Sequence, residues 1–235
     1  MLKGAPARVV IVACFAAIAA GCADSASDSA ADGDSGSLSE LSAEEAWTEL
    51  ESRLLEVESL QIQFVVVSEG AVESQLRGAV ALLGGGALSL SADGQFAGQP
   101  QALRLSADGQ QLVVGEAPGA APVAQPPGLV ESVIVGFTRM GILHNLARLT
   151  GGATPDHMEA GVREWVTVDS LSWGAPETVE GRSARPLDFV IRVEGEAIGS
   201  ARLFIDDESD LPLNRQQTVR FPDGDLIVTE SYEFF

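Results

Sequence analysis

His144 and His157 are the only two histidines in 235 residues, so acid-base chemistry near neutral pH would fall to them. A Ser-His-Asp triad would need a nucleophile beside one of them, yet the chain has no Gly-x-Ser-x-Gly elbow. His144 stands among apolar residues at helical spacing, where a hydrogen-bonded core histidine is expected. Asp156, His157 and Glu159 offer three metal donors in neighbouring positions but no fourth, which reads as a solvated polar loop. The run IDDESD from Ile205 to Asp210 is acidic enough for calcium, but it lacks the glycine and distal glutamate of an EF-hand loop; a charged hairpin turn is expected. Gly84, Gly85 and Gly86 lack the Lys-Ser/Thr that a phosphate-cradling loop requires. These residues predict no enzyme, no cofactor and no metal.

The remaining reactive group is a thiol. Lys3 and Arg8 precede an uncharged, mostly apolar run from Val9 to Ala20, and small residues close up against Gly21 and Cys22. That is the layout of an export signal, and the run is too short for a bilayer-spanning helix, which needs about 20 residues. Ordinary cleavage near Ala17 and Ala19 is one outcome. The other is lipidation, because Ala19-Ala20-Gly21-Cys22 resembles the lipobox of bacterial lipoproteins, without the usual large aliphatic residue three before the cysteine. The only other cysteine, Cys14, would leave with the signal, so Cys22 would have no disulfide partner; a thioether to diacylglycerol uses that thiol up. Residues 1–21 are therefore read as a lipoprotein signal peptide and 22–40 as a lipidated cysteine and acidic tether. That tether carries Asp24, Asp28, Asp32, Asp34 and Glu40, no base, and too little apolar area to offset its ordering entropy. Ala23 in place of aspartate after Cys22 favours outer-membrane over inner-membrane delivery if enteric sorting rules apply. The expected location is the bacterial envelope, facing the periplasm.

Charge narrows the partners. The formal net charge is −20, and loss of Lys3 and Arg8 with the signal takes it to −22. Nucleic acid is excluded as a partner class, since phosphate recognition needs clustered Lys and Arg. Residues 41–235 are long enough for one domain with a sizeable core.

The elements follow from periodicity. Ser42 and Glu45 form a capping-box signal, and Ala46, Trp47, Leu50, Leu54 and Val57 recur at three and four, predicting an amphipathic helix of about 17 residues with Glu49, Glu51, Glu56 and Glu58 off the apolar stripe. About five alternating strand runs follow; the hexapeptide LSADGQ occurs at Leu90–Gln95 and Leu105–Gln110, and each Asp-Gly predicts a hairpin turn. The Pro-rich stretch from Glu116 to Gly128 reads as a surface crossing. Leu129 to Thr150 reads as a helix that is apolar nearly all round, hence buried on two sides, and stopped by Gly151 and Gly152. About five more strands complete the chain. The predicted fold class is α+β, one large antiparallel sheet with helices on one face.

This order of elements resembles the LolA/LolB-like family of bacterial lipoprotein carriers and lipid-binding lipoproteins. The likeness rests on VESLQIQF, on FAGQPQALRLSADGQQLVV with Pro100, Leu103, Arg104, Asp108 and Gly109, and on ARLFIDDESDLPLNRQQTVRF followed by ESYEFF. It covers most of residues 43–235. The resemblance implies a curved, unclosed half β-barrel whose concave face is covered by helices and can hold acyl chains. It also implies an inward arginine that holds the helical lid, for which Arg77 and Arg104 are both candidates. A lipobox fits the anchored members better than the soluble carriers.

On that reading the cavity candidates are Trp47, Leu50 and Leu54 from the first helix, Val133, Ile134, Phe137 and Met140 from the second, and Phe64, Phe189 and Phe204 from strands. Two functions remain open. One is membrane-anchored, non-enzymatic binding or carriage of lipid or lipoprotein acyl chains. The other is a periplasmic interaction or sensor module of the same fold, with a filled core and a protein partner.

Overall fold

The computed structural model describes residues 37–115, 121–144, 162–222 and 224–235. The predicted signal, Cys22 and most of the tether lie outside them. So do the segment from residue 145 to Gly152 and the loop bearing Asp156, His157 and Glu159.

The capping box forms as predicted: Glu45 N–H donates to Ser42 Oγ and Ser42 N–H to the Glu45 carboxylate, opening α1, Ala43–Glu56. The helix buries Ala46, Trp47, Leu50 and Leu54 and ends one residue before Val57, which is exposed. Glu51, expected on the solvent side, is buried. Its carboxylate takes hydrogen bonds from Thr138 and Arg139, so the polar flank of α1 is also in contact. Leu38, within the stretch read from sequence as tether, is 1% exposed in a 3-10 turn at Leu38–Glu40. Its backbone N–H donates to the Asp210 carboxylate, and Arg185 reaches the Ser39 carbonyl at 2.8 Å.

Among the described residues, twelve antiparallel strands follow the alternation of the sequence. In β1 (Leu60–Gly70), Ile62, Phe64, Val66 and Ser68 are buried and the residues between them are exposed. β2 (Ser74–Leu82), β3 (Ala87–Phe96), β4 (Gln99–Asp108), β5 (Gln111–Val114) and β6 (Val123–Ala124) run outward from it in sequence order. β7 (Val166–Trp173), β9 (Arg182–Val193), β10 (Glu196–Asp206), β11 (Pro212–Phe221) and β12 (Gly224–Phe234) run inward, with the short β8 (Glu177–Val179) paired to β9 off this path. The halves join at the centre, where β1 pairs with β12 from Ile62↔Phe234 to Gly70↔Leu226. β6 does not pair with β7, so the sheet is an unclosed half barrel.

The two LSADGQ copies differ. Asp108-Gly109 makes the predicted turn between β4 and β5, with Asp108 accepting the Gln110 and Gln111 N–H groups. Asp93-Gly94 instead continues β3, paired with Arg77 and Leu76, and the turn falls at Ala97-Gly98. A Cβ on Gly94 would meet the Gln75 carbonyl at 2.1 Å, so this glycine serves close strand approach, not a turn.

The described residues 129–144 of the connection between the halves pack against the core of the sheet. The helix expected from Leu129 onward is shorter than its pattern: α2 spans Leu129–Val135, widens into a π-helical segment at Gly136–Met140 and breaks at Gly141, whose φ is +82°. A second helical turn begins at residues 142–144. The predicted two-sided burial holds, with Ile134, Val135, Phe137, Met140, Ile142 and Leu143 all buried. α3, Val162–Trp165, leads into β7.

Candidate functional site

The sheet grips its helical cover at the break. Arg215 of β11 is 0% exposed; its guanidinium donates to the Thr138 carbonyl at 2.6 Å and the Arg139 carbonyl at 2.7 Å. Directly across the β11–β12 ladder stands Glu230, 1% exposed, which accepts the Ile142 and Leu143 N–H groups, each at 2.9 Å. A cation thus meets the carbonyl end of one helical segment and an anion the N–H end of the next, matching the partial charges of helix termini. Gly141 between them must be glycine: a Cβ there would lie 2.7 Å from Glu230 Oε1.

The Tyr232 hydroxyl also donates to Glu230. Burial, then the neighbouring carboxylate, pushes the Tyr232 phenol well above its ordinary value. Burial also pushes the Arg215 guanidinium down, opposed by Tyr232 and Glu230. From the other side, Glu51 of α1 pairs with Arg139 at 2.7 Å and takes the Thr138 hydroxyl at 2.7 Å.

Neither arginine proposed from sequence does this work. Arg77 is exposed between inward Leu76 and Gly78, and Arg104 pairs with Asp93 at 3.0 Å on the outer face. Strand alternation turns both away from the helices. Arg215 escaped notice because NRQQTVRF is polar and reads as a solvated strand.

Beside the gripped segment lies a mostly apolar cavity of about 400 Å³. Met140, Leu143 and His144 bound it from the cover, and Trp165 from α3, its ring 5.9 Å from that of His144. The strands contribute Phe96, Val193, Ile198, Val219, Phe221, Leu226 and Val228, and the β1–β2 turn contributes Val72. Its size falls in the ordinary range for small-ligand sites. Its polar lining side chains are His144, Arg220 and Gln217, the last of them 5% exposed. A larger groove of about 730 Å³ lies between α1 and β7, but Glu44, Glu51, Glu56, Thr48 and Ser52 make it polar.

Of the ten cavity candidates, Met140 lines this space. Trp47, Leu50, Leu54, Phe64, Ile134, Phe137 and Phe189 form the continuous core under the cover, with half-buried Val133 against it. Trp47 packs on Phe189 at 4.7 Å and Phe137 on Tyr232 at 4.8 Å between centroids. Phe204 belongs to a separate cluster with Ala184 and Leu213, because Leu203 and Ile205 beside it take the inward positions. The hairpin-end residues that build the cavity carried only a weak signal, since single apolar positions next to turns look like ordinary strand ends. Among the described residues no group of His, Cys, Asp and Glu is placed to hold a metal, and no helix is long and apolar enough to cross a membrane.

No family model and no curated protein matches the sequence. Among solved structures, the chain is similar to LprF from Mycobacterium bovis, at 10% identity and a TM-score of 0.45, over 80% of this chain and 91% of that one. It is also similar to a LolA superfamily protein from Nitrosomonas europaea, at 10% identity and a TM-score of 0.33, over 83% and 93%. A third is the MucA/MucB complex of Pseudomonas aeruginosa, at 16% identity and a TM-score of 0.39, over 82% of this chain and 56% of that one. At these identities the likeness is one of fold alone.

Proposed function

We propose that this protein binds the acyl chain of a lipid or lipoprotein, reversibly and without catalysis, in the cavity between its half barrel and the cover segment at residues 140–144. The single observation behind this is the 400 Å³ apolar space at the hairpin end of an otherwise filled core. Each methylene moved there from water contributes about 0.8 kcal/mol, so a chain of even eight carbons brings roughly 6 kcal/mol before association costs. Lipidation at Cys22 anchors the domain in the bacterial envelope, facing the periplasm, and the acidic segment after it is the tether. This places an acyl-binding site within reach of a membrane without insertion of the domain.

Filling the cavity tests the reading. Val219→Trp and Ile198→Trp place an indole in the space from two neighbouring strands, β11 and β10. Both variants are expected to lose binding of an environment-sensitive fluorescent acyl probe by tenfold or more while keeping the far-ultraviolet circular dichroism of the sheet. Undiminished binding by both folded variants refutes this site. A chain that binds no acyl probe at all points instead to the interaction-module reading.

A further inference from the structure

Given the acyl-binding reading, on which this inference rests, the residues around the cavity define the kind of amphiphile it accepts. At about 30 Å³ per water-sized group, 400 Å³ holds roughly 13 such groups. That is room for one acyl chain of moderate length, not for the paired chains of a diacyl lipid. The head group of such a chain is left to the opening.

One side chain of fixed charge lines the cavity, Arg220 of β11. It is exposed, and its strand neighbours Val219 and Phe221 line the same space, which places it where the cavity meets solvent, beside the β11–β12 turn. Arg220 is also a cation without a protein partner. Apart from Arg77 on the outer face, every other described arginine is held by a carboxylate or a carbonyl. Arg220 has neither a hydrogen bond nor an ion pair among the described residues, although Asp225 stands across the ladder from it. With 34 acidic residues against 14 basic ones in the chain, an arginine left without an acid is the exception.

The surrounding charge opposes an anion, but only at a distance. Glu69, Glu73, Glu194, Glu196 and Asp225 lie at the neighbouring turns and strand ends, all exposed, and none of them lines the cavity. Their repulsion acts through water and is screened over about 8 Å at physiological salt. A guanidinium in contact instead offers two parallel N–H groups, a fork that matches a carboxylate or a phosphate. The nearest charge therefore sets the preference.

We infer that the cavity accepts one acyl chain from a single-chain amphiphile with an anionic head group, its carboxylate or phosphate oxygens received by Arg220. The test uses residues 22–235 with Cys22→Ser, which removes the protein's own lipid, and calorimetric titration below the micelle concentration of each probe. N-dodecanoylglycine is expected to bind at least threefold more tightly than dodecanoylcholine, which has the same acyl chain and the opposite head-group charge. Arg220→Gln should abolish this preference through weaker binding of the anion, and Arg220→Lys should keep part of it. Arg77→Gln changes the net charge equally on the outer face and should leave the preference intact. Dodecyl phosphate should show the same dependence on Arg220, and the tighter of the two anions names the head group. Equal affinity for the two charge types, tighter binding of dodecanoylcholine, or equal losses in Arg77→Gln and Arg220→Gln overturns the inference while leaving the acyl cavity in place. Failure of all three probes overturns the acyl cavity itself.

Discussion

Replacing Glu230 with glutamine keeps the shape of the side chain and removes its charge, and the structure sets the cost. The carboxylate accepts two buried backbone N–H groups at 2.9 Å and the Tyr232 hydroxyl, and it stands across from a buried guanidinium. The amide retains one acceptor oxygen. Its NH2 must then face a donor, either an N–H at the 142–143 turn or the Tyr232 hydroxyl. Losing a charged acceptor costs about 1.5–3 kcal/mol and an orphaned buried donor about 1–3, overlapping terms that together give a net loss of about 2–4 kcal/mol. Loss of the charge opposite Arg215 adds in the same direction. In urea unfolding of residues 22–235 with Cys22→Ser, the midpoint should drop with the slope unchanged, because the exposed area is the same. Hydrogen exchange should show lost protection at Ile142 and Leu143 beyond the global change. In a double-mutant cycle with Arg215→Met, the coupling should exceed about 1 kcal/mol. A loss under about 0.5 kcal/mol, with protection at 142–143 intact, would refute the claim that this pair holds the cover.

Tyr232 is the only tyrosine, so the alkaline ultraviolet titration reads it alone. Its folded-state value is raised, hence its stabilising contribution is present below the unfolded value near 10 and lost as pH rises through the folded one; phenolate should appear only with unfolding, and a reversible step near pH 10 in the folded protein would contradict its burial. Leu38→Ala should cost about 2–5 kcal/mol by thermal or urea unfolding, as for other buried leucines, and a neutral result would return residues 37–40 to the tether. Gly141→Ala should destabilise by more than the roughly 1 kcal/mol of an ordinary helical glycine comparison, because the new Cβ displaces the Glu230 carboxylate as well as straining a φ of +82°. The N–H groups of Gln111 and Gln110 hold the Asp108 carboxyl below its ordinary value, so its contribution is present above about pH 4 and lost as pH falls through the folded value; Asp108→Asn should give a shallower acid limb, and an unchanged limb would remove the turn from the account.

The large features of the fold were legible because they rest on periodicity. The capping box at Ser42 and Glu45, the alternation of β1 and the all-round apolar helix after Leu129 each follow from local patterns that burial then confirms. Hexapeptide identity misled, because Asp-Gly turns only where the register allows it; at Gly94 the neighbouring strand fixes the backbone, while at Gly109 nothing competes with the turn. The break at Gly141 was not legible. Its cause is Glu230, some ninety positions away in the chain, and local helix propensity contains no trace of that contact. Arg215 was hidden for a related reason. A buried cation looks exposed until the carbonyls that satisfy it are placed, and those carbonyls exist only because the helix is interrupted. The cavity is likewise a collective property of several hairpin ends, so large aromatic residues such as Phe64 and Phe189, the natural choices from sequence, fill the core beside it.

The most direct measurement is native mass spectrometry, with solvent extraction of bound lipid, on residues 22–235 carrying Cys22→Ser and expressed with export to the periplasm. The account predicts a co-purifying acyl species at one per chain, released on unfolding and absent from the Val219→Trp variant. A mass equal to the polypeptide alone, unchanged after incubation with single-chain and two-chain lipids, would contradict it.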